Sequence, residues 1–254
     1  MPDALLAEVA EGIAVLSINR PGQRNAVNEA VARSVAAAFD ELDPRPDVRA
    51  FVLTGAGGTF SAGMDLKGFL AGENPQAGGR GFGGITARPP AKPIIAAVEG
   101  YALAGGFEIA LACDLIVAGD DAVFGLPEVT RGLIAGAGGL FRLPGRVPYH
   151  LAMEIALTGD HVPARRLHEA GLVNRLVPPG HAVPEARALA ARIARNAPLA
   201  VAASKRIMVE SADWPAQEMF TRQDEIARPV FLSEDAMEGA AAFAEKRSAV
   251  WRGE

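Results

Sequence analysis

The chain has 254 residues, half of them hydrophobic, enough for one large domain or two small ones around a substantial core. Acids outnumber bases 30 to 25, and the bases, 21 Arg with Lys67, Lys92, Lys205 and Lys246, are scattered, so no nucleic-acid footprint is expected. Cys113 is the only cysteine, which excludes an intrachain disulfide; its neighbours Leu111, Ala112 and Leu115 favour a packing role over a reactive thiol.

The first residues, MPDALLAEVAEG, lack the basic region of a secretory signal. ALLAEVA and IAVLSIN are β-prone runs joined at Glu11-Gly12, the pattern of a hairpin. Asn28 reads as an N-cap before Val31, Val35, Ala38, Phe39 and Leu42 at helical spacing. AFVLTG returns as a buried strand, and IIAAV at 94–98 as another. Between them, residues 71–91 hold six glycines and three prolines, which predicts a flexible loop: a surface excursion or a mobile wall beside a pocket. DLIVAG and AVFGL follow a short helix, and the alternation argues for α/β architecture with parallel pairing. From about residue 136 helical patterns dominate, in HLAMEIAL, ARRLHEAG, EARALAARIAR, PLAVAASKRIMVE and AQEMFTRQDEIA. VNRLV at 173–177 is the one late strand candidate, and Ser233 caps a last helix running toward Lys246. Residues 94–119 form the most apolar stretch, but Glu99, Glu108 and Asp114 interrupt it, short of the about 20 apolar residues a membrane span requires. A soluble, cytoplasmic protein is expected.

Several chemical signatures are missing. There is no GxxxxGK[ST], and the GAGG runs at 55–58 and 136–139 do not complete a dinucleotide fingerprint. GTFSAG around Ser61 has Thr59 where a nucleophile elbow needs glycine. His150, His161, His168 and His181 lack metal-ligand spacing. What remains is glycine beside acid, in GYALAGGFEIALACD at 100–114. A helix starting near Gly105 would leave the N–H groups of Gly105-Gly106 unsatisfied in its first turn, with the positive end of the helix dipole. Glycine lets a ligand approach that backbone. Glu108, one turn on, would lie near the same end. The alternative is that the glycines serve close packing and Glu108 caps its own helix.

These residues resemble the crotonase superfamily, the enoyl-CoA hydratases and isomerases. The likeness runs in order through RPGQRNAVN at 20–28, FSAGMDL at 60–66, GYALAGGFEIALACDLIVAG at 100–119, FGLPEVTRGLIAGAGG at 124–139, LTGDHVPARRLHEAGLVNRLVP at 157–178 and EGAAAFAEKR at 238–247. The resemblance implies an α/β, crotonase-like spiral of ββα repeats with a helical C-terminal region. Residues 1–195 would form the spiral core with the CoA-thioester site, and 196–254 the helical region for trimerisation, as a homotrimer or dimer of trimers. It implies an oxyanion hole from the backbone N–H groups of Met64 and Gly105. Glu108 and Glu128 would be the catalytic carboxylates. Arg24, Ala26, Ala62, Asp65 and Leu66 would line the path of CoA, and Lys246 would reach CoA from a neighbouring subunit.

No separate cofactor is expected, since CoA belongs to the acyl-CoA substrate, and no metal. Two departures bear on the substrate: Ala104 replaces the first glycine of the usual triple-glycine run, and Leu126 stands where many relatives have glutamine. Phe107 and the LPE sequence resemble the carnitinyl-CoA dehydratase branch. Retention of both acids favours water addition over proton shuffling, so the resemblance implies an enoyl-CoA hydratase. The alternatives are an isomerase, a carnitinyl-type dehydratase or a thioester hydrolase on the same site, and a non-catalytic binding protein of the same fold.

Overall fold

A computed structural model describes residues 3–254. Leu5–Ala10 (β1) and Ile13–Ile18 (β2) form the expected hairpin. Its turn works because Glu11 and Gly12 both take positive φ, 52° and 78°, which matches the twist of the flanking strands. Glu29–Leu42 (α1) begins at Asn28, whose side chain accepts from the Val31 N–H. Ala50–Gly55 (β3), the short Leu66–Leu70 (α2) and Ile94–Val98 (β4) follow. Tyr101–Leu103 (β5) leads directly into Gly105–Ala112 (α3), then Leu115–Gly119 (β6) and Val123–Gly125 (β7). Next come Gly139–Arg142 (α4), Tyr149–Thr158 (α5), Val162–Pro163 (β8), Ala164–Glu169 (α6) and Arg175–Val177 (β9). The chain ends in four helices: Ala182–Ala194 (α7), Pro198–Glu210 (α8), Met219–Phe231 (α9) and Glu234–Glu245 (α10), the last capped by Ser233.

The strands make two sheets. The larger runs β1-β2-β3-β4-β6-β9, parallel after the first hairpin, and the smaller runs β5-β7-β8. The central strands are apolar on both sides because both faces are covered. Leu16, Leu53, Ala96 and Ile116 pack with Val31, Val35 and Phe39 of α1 and with Ile109 of α3. On the opposite face, Val15, Val52, Ala97 and Val117 meet Ala182, Ala186 and Ala190 of α7. Alanine at every fourth position lets this helix lie close against the sheet.

Two short strands, β5 and β8, were not expected, and residues 71–91 are not the flexible excursion their composition suggests. Arg80, Phe82, Ile85 and Thr86 are buried. Arg80 is held by Asp40 of α1 at 2.8 and 2.9 Å, and Gly84 (φ 73°) sits where a Cβ would run into the α1 backbone. Gly81, Gly83 and Gly84 permit close approach, to Ala87, Ile109 and the α1 backbone, while Gly72, Gly78 and Gly79 face open space.

The last residues fold back as a strap. Asp235, buried at the start of α10, accepts from the Arg252 and Gly253 N–H groups at 2.7 and 3.0 Å. Trp251 lies against Gly239 and donates from Nε1 to the Arg195 carbonyl at 2.7 Å, tying α10 to the end of α7. Among the described residues, no helix is long and apolar enough to cross a membrane.

Candidate active site

The site is built around the segment 60–65, which is threaded between two others. On one side Val27 donates to the Gly63 carbonyl at 2.7 Å, Asp65 to Val27 at 2.9 Å and Ala62 to Arg24 at 3.0 Å. On the other, Ser61 donates to Tyr101 at 2.9 Å and Leu103 to Ser61 at 3.0 Å. The Ser61 hydroxyl donates to the Asn25 carbonyl at 2.9 Å and accepts from the Gly63 N–H at 3.1 Å. Asn25, fully buried with φ 53°, spends its amide on the carbonyls of Ala56 and Thr59. Asparagine tolerates this left-handed backbone better than most residues. Asn25 and Ser61 are the supports that sequence reasoning passed over; the buried hydroxyl inside FSAG and an asparagine at a turn were the available signals.

This threading brings Gly63, the neighbour of Met64, against Ala104 and Gly105. A Cβ on Gly63 would lie 2.8 Å from the Ala104 Cβ and 3.0 Å from the Gly105 nitrogen, so the two chain segments touch at this point. Neither the Met64 N–H nor the Gly105 N–H is taken by an acceptor among the described residues. The first belongs to an irregular strand edge, the second to the open first turn of α3. Both glycines of α3 are required by packing. A Cβ on Gly105 would enter the Phe82 ring, and one on Gly106 would enter the Ser61 carbonyl. Ala104 precedes them at φ 51°, ψ −128°, a conformation suited to glycine.

Glu108 is buried on α3, and it does not cap its own helix. Its Oε1 accepts from the Ala137 and Gly139 N–H groups at 2.7 and 2.9 Å, which caps α4 instead. Burial pushes its carboxyl above the usual range, while the two amides and the nearby Arg142 pull the other way. Glu128 lies in a 3-10 turn, Pro127–Arg131, opened by Pro127. Its Oε2 is buried without a hydrogen-bond partner. Burial, with the charge of Glu108 added, raises its carboxyl to about 7. Two carboxylates whose environments push them upward, one held by amides and one unpartnered, can divide base and acid work between them.

Of the expected CoA-path residues, Arg24, Ala26, Ala62, Asp65 and Leu66 come together on one lip beside Met64. Arg24 takes φ 50° and offers its carbonyl to Ala62; the Ala26 carbonyl accepts from Arg20 at 2.6 Å. The Asp65 carboxylate is committed to structure, capping α2 through Lys67 and Gly68 and pairing with Arg20 at 2.9 Å. Leu66 is exposed. Lys246 is the C-cap of α10 at φ 56°, and no hydrogen bond or ion pair joins it to this lip. The histidines lie elsewhere: His168 contacts the Val173 carbonyl, His181 that of Pro179, and His161 and His150 stand beside Tyr101 and Tyr149. Cys113 is buried, and burial pushes its thiol up.

Comparison with known proteins places the chain by sequence and fold. The family model described as enoyl-CoA hydratase/isomerase matches residues 8–254. The chain is 42% identical to enoyl-CoA hydratase EchA19 of Mycobacterium tuberculosis, over 97% of this chain and 95% of the relative. It is 40% identical to the carnitinyl-CoA dehydratase of Salmonella enteritidis, over 94% of each. The crystal structure of enoyl-CoA hydratase EchA1 from Mycobacterium marinum superposes with a TM-score of 0.97 at 56% identity, covering 99% of this chain and all of that one.

Proposed function

The chain belongs to the enoyl-CoA hydratase/isomerase family, and we propose that it is an enoyl-CoA hydratase, a lyase adding water reversibly across the 2,3 double bond of a trans-2-enoyl-CoA. One observation carries the reading: two unspent main-chain donors, at Met64 and Gly105, lie on segments that touch at Gly63 and Gly105, while two buried glutamates stand nearby, one with an oxygen that no protein group satisfies.

In a conjugated thioester, attack at the β-carbon drives negative charge onto the carbonyl oxygen. The Met64 and Gly105 N–H groups receive that charge, and a donor of this kind contributes about 3–4 kcal/mol to the transition state. Glu108, held by two amides, takes a proton from water as the oxygen attacks. Glu128 delivers a proton to the α-carbon; a carboxyl raised to about 7 is partly protonated at neutral pH, as a donor must be. Run in reverse, the same groups dehydrate a 3-hydroxyacyl-CoA.

Arg24, Ala26, Ala62 and Leu66 bind CoA, largely through backbone, and Asp65 supports the lip by capping α2. Residues 1–195 carry this site. Residues 196–254 serve assembly as a trimer or dimer of trimers, with Lys246 reaching a neighbour's CoA. Phe220, Phe231, Leu232, Met237 and Phe243 on α9, α10 and the turn between them are each more than 70% exposed, which supports burial between copies. A cytoplasmic location is part of the same proposal.

Purified protein should consume the conjugated thioester absorbance of a short-chain enoyl-CoA. Glu108→Gln and Glu128→Gln should each cut turnover by orders of magnitude while CoA-ester binding persists. Near wild-type rates in both variants would refute the assignment. The likeness to carnitinyl-CoA dehydratase favours one alternative on the same groups, a dehydratase of that type. Product identification across a panel of acyl-CoA esters separates the two.

A further inference from the structure

Arg142 takes no part in the chemistry above, yet it stands where the supports of both halves of the site meet. It ends α4, the helix capped by Glu108. Its Nη2 donates to the Thr86 carbonyl at 2.5 Å and its Nη1 to the Ala137 carbonyl at 3.3 Å. Ala137 in turn donates its N–H to Glu108. Thr86 belongs to the buried stretch that carries Phe82, whose ring backs Gly105. The guanidinium carbon lies 4.9 Å from the Phe141 ring centroid, within cation–π range.

The turn before α4 is shaped around this side chain. Gly138 has φ 107°, and a Cβ there would run into Arg142 Nη1. A Cβ on Gly139 would press to 3.1 Å against the Glu108 Cγ. Two glycines thus keep the turn tight between a carboxylate on one side and a guanidinium on the other.

We propose that Arg142 is a positioning residue for the reaction: it locks the 137–139 turn that aims Glu108 and fastens that turn to the segment backing the Gly105 donor. This rests on Glu108 being the base. The charged groups facing Glu108 are Arg142 from α4 and Glu128 from the 3-10 turn, and Arg146 lies beyond Arg142. Glu128 opposes ionisation of Glu108, and Arg142 favours it.

The test compares Arg142→Gln, Arg142→Lys, Gly138→Ala and Glu108→Gln in the full chain, with a short-chain trans-2-enoyl-CoA as substrate. Arg142→Gln should lower kcat by about 10- to 100-fold, the effect of small misplacement, with KM changed little. With the cation gone, the acidic limb of the kcat/KM profile should move up by about 0.5–1 pH unit. Arg142→Lys should return that limb to its wild-type position but restore kcat only in part, since an ammonium lacks the planar fork that reaches two carbonyls. Gly138→Ala should lower kcat while keeping the charge. If Arg142→Gln fails to fold, the lysine and alanine variants decide the matter by kcat, since both keep the charge and should leave the limb unmoved. Wild-type kcat in Arg142→Gln, or in both the lysine and alanine variants, overturns the inference, as does a loss of kcat with an unmoved limb in Arg142→Gln. Full activity in Glu108→Gln would instead remove the base assignment on which it stands.

Discussion

Glu128→Gln should make the protein more stable at alkaline pH while destroying its turnover. The native state raises this carboxyl from 4.5 to about 7, so between those values it binds a proton that the unfolded chain releases. Stability from this group therefore falls as pH rises through that window, and the full penalty is present above about 7. At about 1.4 kcal/mol per pKa unit the shift corresponds to about 3 kcal/mol, and solvent reaching the group reduces this to about 1–2 kcal/mol. The amide of the variant never ionises, so the penalty is absent. Urea unfolding at one fixed protein concentration, from pH 4 to 8.5, should show the variant about 1–2 kcal/mol more stable at the upper end, or roughly 2–8 °C in Tm, and equal to wild type near pH 4. A difference that does not vary with pH, or a variant less stable at pH 8, would refute the argument. On the proposed role of Glu128 as proton donor, kcat/KM of the wild type should also decline above about pH 7 as this carboxyl ionises.

Ala104→Gly should relieve backbone strain at φ 51°, ψ −128° and raise stability by about 1 kcal/mol after the added chain entropy of glycine, read as the urea midpoint at pH 5; a drop would mean that the Ala104 methyl contributes more packing than strain. Gly106→Ala should destabilise by about 2–3 kcal/mol, since the new methyl meets the Ser61 backbone rather than a movable side chain. Asp235→Ala should remove two charge-assisted hydrogen bonds, about 2–3 kcal/mol, and release the C-terminal strap. Faster tryptic cleavage at Arg247 and Arg252 and red-shifted Trp251 emission would report the release.

Local chemistry was legible in the sequence; distant partnerships were not. The Glu11-Gly12 turn and the caps at Asn28 and Ser233 depend on residues within three positions of one another, and each formed as expected. β5 and β8, three and two residues long, carry no periodicity of their own and exist because β7 lies between them. The stretch 80–86 misled because glycine serves flexibility and close approach alike, and the anchor of Arg80 is forty residues away. The pairing of Glu108 with Glu128 and the proposed oxyanion roles of Met64 and Gly105 came from likeness to a family rather than from local pattern. The role of Glu108 as the cap of a helix thirty-one residues downstream was invisible to any local pattern.

The groups proposed to receive the anion, at Met64 and Gly105, are peptide nitrogens, and this sets what mutation can reach. Any of eighteen other side chains at position 64 leaves its N–H in place, and proline alone deletes it. The walls around the acyl group can therefore be rewritten one residue at a time while the electrophile stays activated. Substrate preference is free to drift, and the reaction type is tied to the course of the main chain.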